Sequence, residues 1–357
     1  MIFRNLSCFS QFHCLAEKCP DTCCAGWEID LDEATLERYQ SISGPLGEQL
    51  RAAIQTDGSY TFFALTQDQC PFLNPDGLCM LILALGQDAL SITCREHPRF
   101  VEEYGNLQET CLSISCPEAA RLLLSEPVAF VERETQESAE EDCSLDDALL
   151  TELLTCREAL LAVLQAQRPL SERIAIIMAA AGEMQSSLGD RAPLRRDNRI
   201  ESYVFRAENA RSSRSALAAY FSRITAPPMT LELSSYLATM THMEFTSQRL
   251  PQLLDMLRSW AVADPVTLFN NVSAPAAQRL LLYFLYRYVL RAVWDGALRE
   301  KVLLSVYSTA AILALSQTLV QNAHPIRTAA SLYSREVEHS DENLDLLYKH
   351  LSSYPSS

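Results

Sequence analysis

The chain has 357 residues, 48% of them hydrophobic, and 29 Lys and Arg against 45 Asp and Glu give a formal net charge of −16. This is enough apolar material for a proper core, and the acidic balance argues against a nucleic-acid binder, which shows a basic patch or stripe. Only 10 residues are Gly, while Leu, Ala, Glu, Gln and Arg are common, which favours helix over a turn-rich β fold.

The opening stretch, MIFRNLSCFSQFHC, has no apolar h-region and no cleavage pattern, so no secretory signal is read and a cytoplasmic location is expected. Of the 12 cysteines, all but Cys143 and Cys156 fall between Cys8 and Cys116. Disulfides do not suit a reducing compartment, and burial as small hydrophobes suits Cys8, Cys143 and Cys156 but not four cysteines within positions 14–24. Thiolates are soft ligands that select zinc, copper(I) and iron–sulfur clusters. The metal-ligand candidates are therefore Cys14, Cys19, Cys23, Cys24, Cys70, Cys79, Cys94 and Cys116.

The first group reads Cys14-x4-Cys19-x3-Cys23-Cys24. Two adjacent cysteines do not easily chelate one ion, so one of Cys23 and Cys24 is expected to face a second site, another iron or the core. Zinc ribbons show paired Cys-x2-Cys knuckles, and none occurs here. A radical-SAM triplet would need a cysteine where Gly26 stands. Iron–sulfur is favoured over zinc, and zinc remains the alternative. One four-iron cluster takes four thiolates, so the eight candidates exceed one cluster.

Asp32 is placed to cap a helix starting at Glu33, and Ser43-Gly44-Pro45 ends or redirects it. Asn74-Pro75-Asp76-Gly77 predicts a turn that folds Cys70 towards Cys79. Leu78–Leu85 reads as a short buried helix ending near Gly86. His97 follows Cys94 as a possible outer partner of the site, and His13 adjoins Cys14. Cys116-Pro117-Glu118 opens another helix, whose positive end is expected to favour the Cys116 thiolate and to rank it above Cys111 as a ligand.

From Glu132 to Asp147 the chain is strongly acidic and reads as a solvated linker. Beyond it Leu145, Leu149, Leu153, Leu160 and Leu164 recur at helical spacing, and about eight helices are expected with breaks at Pro193, Pro227-Pro228, Pro265, Pro275 and Pro325. Residues 302–320 lack charge but carry Ser, Thr and Gln, so they read as a buried helix rather than a membrane span. Tyr283–Tyr288 reads as core. The expected architecture is mainly α: a cysteine-rich metal-binding domain over 1–131, an acidic linker over 132–147 and an α-helical domain over 148–357. There is no Gly-rich phosphate loop, no Gly-x-Ser-x-Gly and no His-Glu-x-x-His.

Three blocks, CLAEKCPDTCCAGWEIDLDEATLERY, CPFLNPDGLCMLILALGQDALSITCREHPR and ETCLSISCPEAARLLL, resemble the flagellin lysine N-methylase family. They also resemble the wider group of zinc- or iron-chelating cysteine-cluster domains. Near the other end, LYSREVEHSDENLDLLYKHL is similar to a Ser-Arg…Glu-His segment of that family, here Ser334, Arg335, Glu338 and His339. The resemblance implies methylation of lysine ε-amino groups on flagellin as protein substrate. It implies S-adenosylmethionine as donor and a cysteine-bound iron–sulfur cluster (4Fe-4S); the acidic charge and the polar residues within 302–320 give the expectation of no nucleic-acid and no membrane partner. Trp27, Arg99, Arg335 and His339, within the matched blocks, are its candidates for holding the cofactor. Methyl transfer by displacement needs a neutral lysine held in line, oriented by an acidic or tyrosine group; Asp21, Asp30 and Tyr39 lie near the cysteines and are the catalytic candidates. The alternative is a non-enzymatic metal-chelating binding or adapter protein, motivated by the surplus of thiols.

Overall fold

The strands are β1 (Ile2–Leu6), β2 (Ile29–Asp30), β3 (Ile54–Asp57), β4 (Tyr60–Phe63), β5 (Arg99–Tyr104), β6 (Leu107–Leu112) and β7 (Phe130–Glu134). They form two sheets, ordered β5-β6-β1-β7 and β2-β4-β3. In the larger, β1 runs parallel to β6, with Ile2 opposite Leu107, and antiparallel to β7, with Ile2 opposite Glu134. The computed structural model describes residues 1–23, 29–58, 60–67, 69–125, 127–135, 145–188, 225–258, 264–271 and 273–354. Gly26, Cys143, Gly189 and Pro193, singled out from the sequence, lie outside the described residues, as does the 136–144 part of the acidic stretch.

The chain is mainly helical. The first third holds α1 (Glu33–Ser41), α2 (Gly44–Ala53), α3 (Met80–Leu85), α4 (Ile92–Glu96) and α5 (Pro117–Ser125). The rest holds α6 (Asp147–Leu164), α7 (Leu170–Leu188), α8 (Leu233–Met240), α9 (Arg249–Arg258) and α10 (Pro265–Asn270). It continues with α11 (Ala274–Tyr288), α12 (Ala292–Asp295), α13 (Leu298–Gln317), α14 (Pro325–Val337) and α15 (Asp341–Ser352). Asp32 caps α1 through the Thr35 N–H at 3.0 Å. Proline stands in the first turn of α10, α11 and α14, where its missing N–H costs nothing. The α13 helix is buried nearly all round, and Tyr283–Tyr288 of α11 is buried in full. Among the described residues no helix is long and apolar enough to cross a membrane.

Two of the expected boundaries shift. The helix expected from Leu78 begins at Met80, because Asn74 Oδ1 accepts the Leu78 N–H at 2.8 Å and Cys79 bridges back to Leu73. Glu132 and Glu134 belong to β7, where Glu132 pairs with Arg4 at 2.8 Å across the sheet.

Packing groups the chain into two cores. The larger joins the β5-β6-β1-β7 sheet to the helices, running from Leu6 through Leu112, Leu153 and Phe284 to Leu351. Its anchor is Glu109 of β6, buried against Arg157 of α6 at 2.5 and 2.6 Å, with Arg4 at 3.1 Å. The smaller core is Ile29, Leu31, Tyr39, Leu50, Phe63, Cys70, Phe72, Leu81 and Leu90. It is built from segments lying between β1 and β5, both strands of the larger sheet.

Candidate functional site

An open cavity of about 800 Å³ of atom-free space lies where the smaller core meets the larger. Six cysteines line it: Cys14, Cys19 and Cys23 from the N-terminal loops, Cys79 and Cys94 from the starts of α3 and α4, and Cys116 before α5. Cys70 is buried beside them, and its thiol is raised to about 11 by burial, with further contributions from Cys79 and Cys23. Cys24 and Trp27 lie outside the described residues. Among the described residues no three His, Cys, Asp or Glu side chains are grouped to hold one metal ion. The thiols surround a space instead of meeting at a point.

Cys23 is the common neighbour: after burial, its thiol contributes to raising Cys19, Cys70, Cys94 and Cys116. Burial pushes Cys94 up to about 12 and Cys116 to about 11. The helix start at Pro117 was expected to favour the Cys116 thiolate. The N–H groups of Glu118 and Ala119 do pull that way, but loss of water outweighs them.

Several thiols receive the backbone N–H two residues on. Ala16 N–H reaches Cys14 Sγ at 3.4 Å, Asp21 N–H serves Cys19, and Phe72 N–H serves Cys70. Ala16 takes a left-handed backbone, φ +45°, to make this turn. The Tyr39 hydroxyl is fully buried with no hydrogen-bond partner among the described residues. Burial raises it, and the thiols of Cys94 and Cys79 are its next strongest influences.

The charged part of the lining comes from both ends of the sequence. Asp21 Oδ2 accepts from Arg335 of α14, also on the lining, at 3.2 Å and from Arg249 of α9, which stands off the lining, at 2.9 Å, and Oδ1 from the Thr22 N–H at 2.9 Å. Burial alone would raise the Asp21 carboxyl; the two guanidinium groups overcome it and hold it below its ordinary value. Glu118, also on the wall, is taken by Arg121 through two bonds of 2.7 Å.

The segment that holds Arg335 explains its own pattern. Ser334 and Glu338, four apart, face inward, and buried Glu338 accepts from Tyr283 at 3.0 Å, Arg287 at 3.0 Å and Tyr288 at 3.0 Å. Arg335 and His339, also four apart, face the cysteine-rich part. His339 Nε2 lies 3.0 Å from Ser113 Oγ and 3.1 Å from Ser115 Oγ, and its ring is 6.1 Å from that of His97. Burial, then neighbouring positive groups, lower both imidazoles to about 4, so each is neutral at neutral pH.

Of the other residues chosen from sequence, Asp30 is exposed on β2 and off the cavity wall, and His13 is exposed. Arg99 stacks over Phe12 at 5.3 Å, on the side of β5. Cys8, Cys111 and Cys156 are buried in the larger core, away from the lining. Sequence reasoning missed Arg249, Ser115 and Glu118. The last two stand beside Cys116 in the third cysteine block; nothing local marks Arg249.

A mainly helical protein with a cysteine-lined cavity bordered by an arginine–aspartate pair is the class that fold and site define. The chain is 31% identical over 135 residues to the flagellar biosynthetic protein FliU of Salmonella muenchen, covering 34% of this chain and 76% of that one. It is also 31% identical to the lysine-N-methylases of Salmonella choleraesuis strain SC-B67 and Salmonella typhimurium strain LT2, over 135 and 128 residues, each match spanning 32% of the relative. The chain thus spans about a third of the length of those two relatives. No family model and no solved structure matches. The chain belongs to the flagellin lysine N-methylase family, which these relatives represent.

Proposed function

We propose that the chain is a protein-lysine N-methyltransferase acting on flagellin in the cytoplasm, with S-adenosylmethionine as donor and an iron–sulfur cluster held by the N-terminal cysteines. The observation that carries this reading is the convergence of six cysteines from separate stretches of chain on one cavity that also holds Asp21 and Arg335. The names of the relatives, a flagellar biosynthetic protein and two lysine-N-methylases, support lysine methylation and a flagellar target.

The donor set fits a cluster. Cys14, Cys19, Cys23, Cys70, Cys79, Cys94 and Cys116 would hold it, and four of them suffice for a four-iron cluster. A tetrahedral zinc needs its sulfurs about 2.3 Å from one centre. The six thiols on one cavity wall exceed the four thiolates that a four-iron cluster takes. The backbone N–H groups at Cys19 and Cys70 oppose the effect of burial, and the Tyr39 hydroxyl, without a partner among the described residues, is a donor that would find an acceptor near Cys79 and Cys94.

When bound, the donor supplies an electrophilic methyl carbon and the cluster a polarising inorganic centre. The chain's own residues bind, orient and exclude water. Phe12, Leu15, Ile82 and Leu90 make the wall apolar, which favours the neutral form of an incoming lysine. His97 and His339 stay uncharged and add no repulsion against a cationic donor. Asp21, its carboxyl held low by two arginines, is a poor proton acceptor and acts by positioning.

The test is to incubate the anaerobically reconstituted chain with flagellin and S-adenosylmethionine and to measure the flagellin by mass spectrometry. Lysines carrying methyl-mass increments, absent with Cys23→Ser, are the expected result. Flagellin left unmodified, while an active relative run alongside methylates it, would overturn the reading.

A further inference from the structure

The cavity lining falls into a sulfur part, an apolar part and a charged part, and the charged part has a composition of its own. Arg335 and Arg249 converge on one oxygen of Asp21, at 3.2 and 2.9 Å. Two guanidinium groups against one carboxylate leave the cluster net positive. The other acid on the wall, Glu118, is already engaged by Arg121. Arg335 is mostly buried, with 14% of its side chain exposed, and uses one N–H on Asp21; the rest of its fork has no partner among the described residues.

We propose that Arg335, Arg249 and Asp21 form a receptor for an α-amino-acid zwitterion, and that the methionine end of the methyl donor docks there. This inference rests on the reading of the chain as an S-adenosylmethionine-dependent methyltransferase. An amino-acid end carries a carboxylate and an ammonium on one carbon, so its receptor needs a cation and an anion side by side. The Arg335 fork matches a carboxylate through two parallel bonds. The Asp21 carboxylate keeps acceptor capacity on both oxygens for an ammonium. The excess positive charge selects for this ligand: a lone lysine ammonium is repelled by the arginines, whereas an ammonium that brings its own carboxylate is not. The adjoining apolar wall of Phe12, Leu15 and Leu90 suits the thioether and nucleoside that follow.

The experiment measures binding by calorimetry to the anaerobically reconstituted full chain, using S-adenosylhomocysteine and methylthioadenosine, which lacks the amino-acid end. The native chain is expected to bind the first roughly ten-fold or more tighter, the scale of a charge-assisted pair. In Arg335→Met the difference collapses while methylthioadenosine binding holds. Arg249→Met, at a half-exposed position, is expected to narrow the difference in the same direction and covers the case in which Arg335→Met fails to fold. Equal binding of both compounds by the native chain, or an undiminished difference in the folded variants, overturns the zwitterion receptor and leaves the methyltransferase reading standing. No binding of either compound to the native chain overturns both.

Discussion

Arg335, in the last turn of α14, bonds Asp21 in the cysteine-rich loop at 3.2 Å, across 314 positions of sequence. This contact joins the segment with the Ser-Arg…Glu-His pattern to the cysteine blocks, and it makes the cavity a product of both ends of the chain. Its partner residues Ser334 and Glu338 hold that segment from behind through Tyr283, Arg287 and Tyr288.

Cysteine replacement separates the cavity from the core. Cys23→Ser and Cys79→Ser are expected to lose bound iron, whereas Cys156→Ser, buried in the larger core, keeps it. Iron analysis of anaerobically purified protein is the measurement. Equal iron in all three variants contradicts the assignment.

Tyr39→Phe removes a buried hydroxyl that has no partner among the described residues. In metal-free protein the change is expected to be neutral or stabilising by about 1 kcal/mol, because an unsatisfied group is deleted. On the proposed reading the hydroxyl donates to the sulfur ligands once metal is bound, and the change is then expected to shift the visible absorption and to speed loss of metal to a chelator. Identical chelator kinetics for both proteins would count against a role for this hydroxyl.

Arg157→Met takes from the buried Glu109 carboxylate in β6 its two shortest bonds and leaves it Arg4 alone as a charged partner. Removing one partner of such a pair costs on the order of 3–5 kcal/mol, and the double change with Glu109→Met recovers much of it. Urea unfolding of the single and double variants measures the difference.

Acid weakens the junction in two stages. His97 and His339 have folded values of about 4, below their unfolded value, so the unfolded chain binds more protons between roughly pH 4 and 6.5. Stability therefore falls as pH drops through that window, by up to about 1.4 kcal/mol per pH unit for each imidazole. Arg287, Arg335, Ser113, Ser115 and Phe100 face this pair, and none of them is a carboxylate that offsets the protonation. The Asp21 pairs, whose carboxyl is held low, give way only at still lower pH. Denaturation midpoints across pH test this, and replacing both histidines with Gln flattens the first stage.

Local features of the fold were legible because their causes are local. Asp32 caps α1, Asn74 folds its own turn, Pro117 opens α5, and residues 302–315 bury as a helix. The four-stranded sheet was not legible: its strands are short, and β1 finds its parallel neighbour about a hundred residues on, through β6. Glu109 looks like a solvated acid until Arg157 of α6 closes on it. The crowding of cysteines before position 117 was plain in the sequence, while the sharing of one cavity by six of the eight candidates depends on how distant loops meet. Cys116 shows the limit of local reasoning, since helix-end electrostatics were readable and the degree of burial was not.

The cysteine-bearing core is spliced between two strands of a sheet that closes without it. The ladder β5-β6-β1-β7 and the helices packed on it draw none of their pairing from the spliced segments. Changes confined to the smaller core are therefore expected to be felt there first, while the hydrogen-bonded sheet on either side of the splice keeps its register.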